Sequence, residues 1–167
     1  MEQTLIVFKP DAIQRGLVGE ILARFERAGL KIVAMKMLTA SDKHLEGHYE
    51  GIGSLRTRKG NHIYNITIDL MKSGPVLAGV LEGIDAVDNV RKMVGGTEPK
   101  SAAPGTIRGD YAHMSYGHAD AVGKGLPNMI HASADLSEAA QEIPHWFGKN
   151  EIHSYSNTQD VYTQPRR

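Results

Sequence analysis

The 167 residues suit one compact domain, and an apolar share of 41% is enough for a core. The 19 basic and 19 acidic residues cancel, which excludes a chain-wide basic footprint for nucleic acid but leaves room for a local cationic pocket. The absence of cysteine excludes disulfides, thiol catalysis and Cys-based zinc sites. The apolar runs are too short to span a bilayer, and Met1-Glu2-Gln3 carries an acid where a signal peptide has a basic region, so a cytoplasmic protein with no membrane or specific nucleic-acid partner is expected.

Thr4-Leu5-Ile6-Val7-Phe8 reads as a buried strand that Lys9-Pro10-Asp11 ends. Asp11 is placed to cap a helix whose apolar face is Leu17, Ile21, Leu22, Phe25 and Ala28, with Gly29 at its C-terminal end. Leu30 to Leu38 reads as a second strand, and Ser41 or Asp42 caps a short helix through Tyr49. Gly51 to Gly60 reads as a loop in which Arg56, Arg58 and Lys59 form a solvated basic cluster, followed by a helix over His62 to Lys72. Ser73-Gly74-Pro75 breaks that helix. Val76 to Leu81 is a third strand, and Asp85 opens a helix with Val87, Val90 and Val94 inward that Gly95-Gly96 closes. From Gly96 to Gly125 the chain is rich in Gly, Pro, Ala and Ser; so long a loop in a compact domain is functional or disordered. Met129 and Ile130 belong to a short fourth strand, and Leu136 to Phe147 is a last helix in which Pro144 predicts a kink or an early end. The order of elements gives an α/β (α+β) layer fold in a single domain over residues 1–148, with a polar tail over 149–167 that ends in two arginines.

Of eight histidines, His131 stands out. It follows the apolar Met129-Ile130 pair at a strand end and precedes the small residues Ala132-Ser133, which leave room beside the ring. Glu142, in the last helix, can fold back on that ring, fix its tautomer and raise its nucleophilicity. A second cluster, Gly95-Gly96-Thr97-Glu98-Pro99-Lys100 with Pro104-Gly105-Thr106-Ile107-Arg108-Gly109-Asp110, joins glycines, hydroxyls and an arginine in one segment; these suit phosphate, while composition alone favours a plain surface loop with turn residues. There is no P-loop signature and no Gly-rich dinucleotide fingerprint.

Four motifs in order, Thr4 to Asp11, Arg15-Gly16-Leu17-Val18-Gly19-Glu20, Pro104 to Asp110 and Asn128-Met129-Ile130-His131-Ala132-Ser133, make the chain resemble a nucleoside diphosphate kinase over residues 2 to 147. The resemblance implies a ferredoxin-like sandwich, a four-stranded antiparallel sheet with helices packed on it. It implies a ping-pong cycle in which His131 takes the γ-phosphate of a nucleoside triphosphate and passes it to a nucleoside diphosphate. It implies Mg2+ chelated by the nucleotide phosphates, with no protein metal site. Lys9, Arg91, Thr97 and Arg108 would then bind phosphate, Asn128 the ribose side, and Tyr49 would steady the site, with Ser133 and Glu142 as partners of the ring. A homo-oligomer is implied as well, a hexamer first and a tetramer second.

Three segments depart from the family pattern. Between His48-Tyr49 and Ser73 the chain is longer than usual and lacks the family's Pro-Phe-Phe; Ile63 or Tyr64 takes the place of the residue that stacks on the base. Tyr111 to Pro127 is also extended, and lies over the site or against a neighbouring subunit; its His113 and His118 lack a third ligand at metal spacing. Ser133 is followed by Ala134, with Asp135 one step later, so either can cap the last helix. Two other classes compete with an active enzyme: a weak nucleotide-binding relative, and a histidine phosphocarrier acting on proteins.

Overall fold

The computed structural model describes residues 1–164; the two closing arginines lie outside the described residues. Its centre is a sheet of four strands in the order β2-β3-β1-β4, formed by β1 (Glu2–Phe8), β2 (Lys31–Leu38), β3 (Val76–Gly83) and β4 (Ile130–Ala132). Every neighbouring pair is antiparallel, and a register shift between Ile32 and Ala34 marks a bulge in β2. This is the ferredoxin-like sandwich that the motifs imply.

Side chains alternate across a strand, and β1 sends its two sets into two cores. Ile6 and Phe8 join Ile21, Phe25, Leu81 and Val90 on one face, while Leu5 and Val7 join Val33, Leu45, Met71 and Trp146 on the other. With both faces covered, β1 needs an unbroken apolar run, and its sequence has one.

The helices refine the sequence reading. After β1 there are two helices, α1 (Pro10–Gln14) and α2 (Val18–Arg27), separated at Gly16, where φ is +67°. Lys9, not Asp11, is the N-cap residue of α1. The Asp11 carboxylate instead accepts the backbone N–H of Met129 at 2.9 Å. That bond holds Met129 at φ +70°, an unfavourable conformation for a residue with a Cβ. Ser41 caps α3 (Asp42–Glu46) as expected, and a π-helical turn follows over Gly47–Ile52.

The expected Gly51 to Gly60 loop is largely helical, because α4 runs over Leu55–Lys72 with a break at Gly60. Glu50 starts it by accepting the backbone N–H of Arg56 and the hydroxyl of Thr57. Likewise the Gly96 to Gly125 segment is not one loop. After α5 (Ala86–Val94) it folds into a 3-10 turn at Pro99–Ser101, α6 (Ile107–Tyr111) capped by Thr106, and α7 (Tyr116–Val122) capped by Ser115. Cap side chains supply what apolar periodicity does not in helices this short.

The last helix, α8 (Leu136–Trp146), is capped by Asp135 and not by Ser133. Pro144 does not cut it short, because a proline in the final turn displaces few helical bonds. Beyond it a 3-10 turn over Lys149–Glu151 leads the tail along β2. His153 N–H donates to Val33 C=O at 2.8 Å, the Tyr155 hydroxyl to Ile32 C=O at 2.9 Å, and Lys36 pairs with Glu151 at 2.7 Å. A short α9 (Asp160–Thr163) closes the described chain, in which no helix is long and apolar enough to cross a membrane.

Candidate active site

A cleft of about 610 Å³ opens between α4 and the Tyr116 to Leu126 segment. Lys9, Tyr49, Arg91, Thr97, Arg108, Asn128, His131 and Glu142 all line it, drawn from seven separate parts of the chain. Ser133, the other partner expected for the ring, lies behind the wall, fully buried.

His131 is the middle residue of β4, paired with Val7 of β1. Its Nε2 lies 2.7 Å from Oε1 of Glu142, a carboxylate with 1% exposure. The other Glu142 oxygen accepts the Ser133 hydroxyl at 2.6 Å, and the Ser133 oxygen in turn accepts the Leu5 N–H at 3.2 Å. The carboxylate is thus tied to the centre of the sheet. Burial pushes its pKa up, opposed chiefly by His48 and the Ser133 hydrogen bond. Burial also holds the His131 ring well below the usual histidine range, with Glu138 opposing and Lys9, Arg108 and Arg91 adding to the effect. A neutral imidazole that donates Nε2–H to Glu142 keeps a lone pair on Nδ1.

Lys9 ends β1, and its ammonium donates to Asn128 Oδ1 at 2.7 Å. The Asn128 amide donates in turn to Thr97 C=O at 2.9 Å, so one side chain joins the strand end to the glycine-rich segment. Burial and then the charge of Arg108 lower the Lys9 pKa to about 8. Arg108, 5% exposed, donates to three backbone carbonyls: Asn128 at 3.2 Å, Gly95 at 3.1 Å and Ile130 at 2.6 Å. A guanidinium has five N–H donors, so two remain for a ligand. Arg91 and Thr97 are exposed on the cleft rim. The buried Tyr49 hydroxyl has no hydrogen-bond partner among the described residues.

Sequence reasoning overlooked four contributors. Arg58 and Lys59, read as solvated surface, reach the cleft because α4 starts before them. His48 stands edge-on to His131 with ring centroids 4.6 Å apart, and Trp146 donates its indole N–H to His48 Nδ1 at 3.2 Å. The adjacent His48-Tyr49 pair was the available signal; nothing in the spacing linked Trp146 to it. Of the two base-contact candidates, Ile63 lines the cleft. Tyr64 is 8% exposed, outside that lining, with the Arg56 guanidinium 4.1 Å above its ring. The Tyr111 to Pro127 segment does lie over the site: α7 turns Tyr116, Ala119 and Asp120 into the cleft. Gly125 sits so close to α4 that a Cβ there would fall 2.4 Å from Ile66 C=O.

His48, His131 and Glu142 place ligand atoms within 4.8 Å of one another, but these atoms are already committed to hydrogen bonds with each other and with Trp146. No cluster of carboxylates suited to a magnesium cage is found among the described residues. The cleft cations Lys9, Arg58, Lys59, Arg91, Arg108 and Lys124 instead suit a multiply charged anion.

Fold and site define a sandwich protein in which a buried carboxylate holds a half-buried histidine in the wall of a cationic cleft. The family model for nucleoside diphosphate kinase matches residues 2–152. A nucleoside diphosphate kinase of Borreliella burgdorferi is 42% identical over 155 residues, covering 93% of this chain and 92% of its own length. One from Pyrococcus furiosus is 42% identical across 100% of this chain and 96% of its own. Among solved structures, a transition-state mimic of nucleoside-diphosphate kinase from Borrelia burgdorferi with bound vanadate and ADP superposes with a TM-score of 0.93 at 40% identity, covering 97% of this chain and 96% of that one. A halophilic relative from Halobacterium salinarum in complex with CDP gives 0.81 at 33% identity, covering 96% and 97%. The chain belongs to the nucleoside diphosphate kinase family, and is an enzyme of nucleotide phosphoryl transfer.

Proposed function

We propose that the chain moves the γ-phosphate of a nucleoside triphosphate to a nucleoside diphosphate through a phosphohistidine on Nδ1 of His131. The observation that carries this reading is the 2.7 Å contact between His131 Nε2 and Glu142. It fixes the proton on Nε2 and leaves Nδ1 as the nucleophile. In the first half-reaction Nδ1 bonds to the γ-phosphorus and the bond from that phosphorus to the β,γ-bridging oxygen breaks, releasing the diphosphate. In the second, a terminal oxygen of another diphosphate bonds to the phosphorus and the N–P bond breaks. Glu142 keeps the Nε2 proton throughout and offsets the positive charge that builds on the ring.

Phosphoryl transfer depends on placement and charge neutralisation more than on covalent help from the protein. Lys9, Arg91 and the two unused N–H groups of Arg108 would meet phosphate oxygens, with Thr97 donating its hydroxyl from the rim. Asn128 would serve the ribose side, and Tyr49 has a buried hydroxyl ready for a ligand partner. Mg2+, when carried on the nucleotide phosphates, would add charge neutralisation to that of these cations. We read Ile63 as the base contact and assign Tyr64 to holding α4. Ile63→Ala is then expected to weaken diphosphate binding severalfold in calorimetry with little change in melting temperature. Tyr64→Leu should do the reverse, and the opposite pattern would exchange the two roles. We also retain the homo-oligomer, hexamer before tetramer, which light scattering reads directly.

The test is a pulse and chase. Incubate the protein with γ-labelled ATP and magnesium, then add a second nucleoside diphosphate. Acid-labile, alkali-stable label on His131 that discharges to nucleotide is the expected result. Absence of label would point to a weak nucleotide-binding relative, and label that discharges only to protein would point to a phosphocarrier.

A pH dependence follows from Lys9. As pH rises through about 8 the folded protein loses the Lys9 charge, so transfer is expected to fall on the alkaline side, and Lys9→Arg should flatten that fall. The sign for stability is opposite. Between about 8 and the ordinary value of 10.5 the unfolded chain holds the proton and the folded one does not, so the Lys9 contribution to stability increases with pH. Rate–pH and melting–pH curves check both signs.

A further inference from the structure

The indole nitrogen of Trp146 can only donate. Its N–H points at Nδ1 of His48 at 3.2 Å, so that nitrogen must accept and the single ring proton sits on Nε2. The same Nδ1 lies 3.4 Å from Glu142 Oε1, the oxygen that faces His131 Nε2 at 2.7 Å. A proton on Nδ1 of His48 would be repelled by the indole N–H and would turn His48 into a rival donor for Oε1. Glu142 has one oxygen committed to Ser133 at 2.6 Å, so Oε1 is the oxygen in contention.

We propose that Trp146 is a positioning residue: by holding Nδ1 of His48 as an acceptor it keeps His48 off Glu142 and reserves that carboxylate for His131. The arrangement has little slack. His48 is buried and stands at 85° to the His131 ring, so a swing of His48 toward the carboxylate disturbs the nucleophile's neighbour as well as its hydrogen bond. Trp146 is itself fixed, buried in the core and touched edge-on by His44 at 4.3 Å, which stacks on His145. The titratable groups facing His48 are His131 on β4, Glu142 and His145 on α8, His44 on α3 and its neighbour Tyr49. Burial first and then the charge on His131 disfavour a proton on His48, and Glu142 favours it. Trp146 thus acts against the one group that would draw a proton to Nδ1.

The inference rests on His131 being the nucleophile, and its test separates the two. In the unsubstituted full chain, nitrogen NMR of labelled histidines should show His48 protonated on Nε2 and bare on Nδ1 near neutral pH. Trp146→Phe keeps an aromatic ring and removes the N–H. Its rate of His131 phosphorylation by magnesium ATP should acquire an acid limb about one pH unit or more above that of the unsubstituted chain, because a protonated His48 now competes for Glu142. Adding His48→Asn, which does not titrate, should return the limb to its original place. A proton found on Nδ1 of His48, or a Trp146→Phe profile that loses rate equally at every pH, overturns the proposal. If the unsubstituted chain takes no phosphate on His131, the functional reading fails, while the tautomer measurement still decides what Trp146 does to His48.

Discussion

His131→Asn is expected to abolish transfer, by at least about a thousandfold, while nucleotide affinity changes by less than about threefold. The division follows from where the groups sit. Lys9, Asn128 and Arg108 hold one another through hydrogen bonds that do not pass through the imidazole. The Glu142 carboxylate keeps Ser133 when the ring is gone. The substitution therefore removes the proposed nucleophile and leaves the cleft cations in place. Single-turnover transfer from labelled ATP, with calorimetric titration of ADP on the same sample, measures both quantities. Turnover within tenfold of the unsubstituted chain would mean that another group takes the phosphate. A collapse of ADP binding would mean that the ring holds ground-state substrate.

Arg108→Ala should damage two properties at once. The family resemblance makes the arginine a phosphate ligand. The structure adds a second role, because three of its five donors serve the backbone carbonyls of Gly95, Asn128 and Ile130. Removing a buried charged donor and leaving carbonyls unpaired costs about 2–4 kcal/mol. A clear fall in melting temperature is therefore expected together with a loss of transfer larger than that instability explains at low temperature. Arg108→Lys separates the contributions. It keeps the charge but not the fork, so it should recover little stability while retaining part of the phosphate affinity. A variant as stable as the original with impaired transfer would show that the carbonyl contacts contribute little.

Much of this was legible before the fold was known, and the failures have physical causes. The β1 run, buried on both faces, and the periodic α2 and α5 announced themselves, because apolar pattern reports burial directly. The pairing of His131 with Glu142 was readable because both lie near the chain's C-terminal end in elements that pack together. What the pattern could not show was held by single polar contacts. Asp11 reads as a cap by position, yet its carboxylate is drawn to the strained Met129 amide across the sheet. Arg58 and Lys59 look like plain surface because Gly60 interrupts the periodicity, yet a helical turn precedes that break and sets them on the cleft. Trp146 could not be tied to the site at all, since its bond to His48 spans elements far apart in sequence. Short helices such as α6 and α7 carry too few apolar repeats to register, and their Thr106 and Ser115 caps sit in a stretch whose composition suggests loop.

The hydrogen bonds that close off β2 and β4 have a consequence for the life of the chain in a crowded solution. A sheet with bare outer strands is a template for unwanted pairing between molecules. Here the tail engages Ile32 and Val33 on one border, and Arg108 takes the Ile130 carbonyl on the other. Polar groups at both borders are thus engaged within the monomer. On the β4 side the guard is a residue of the cleft itself, so one guanidinium both lines the cleft and covers an edge carbonyl.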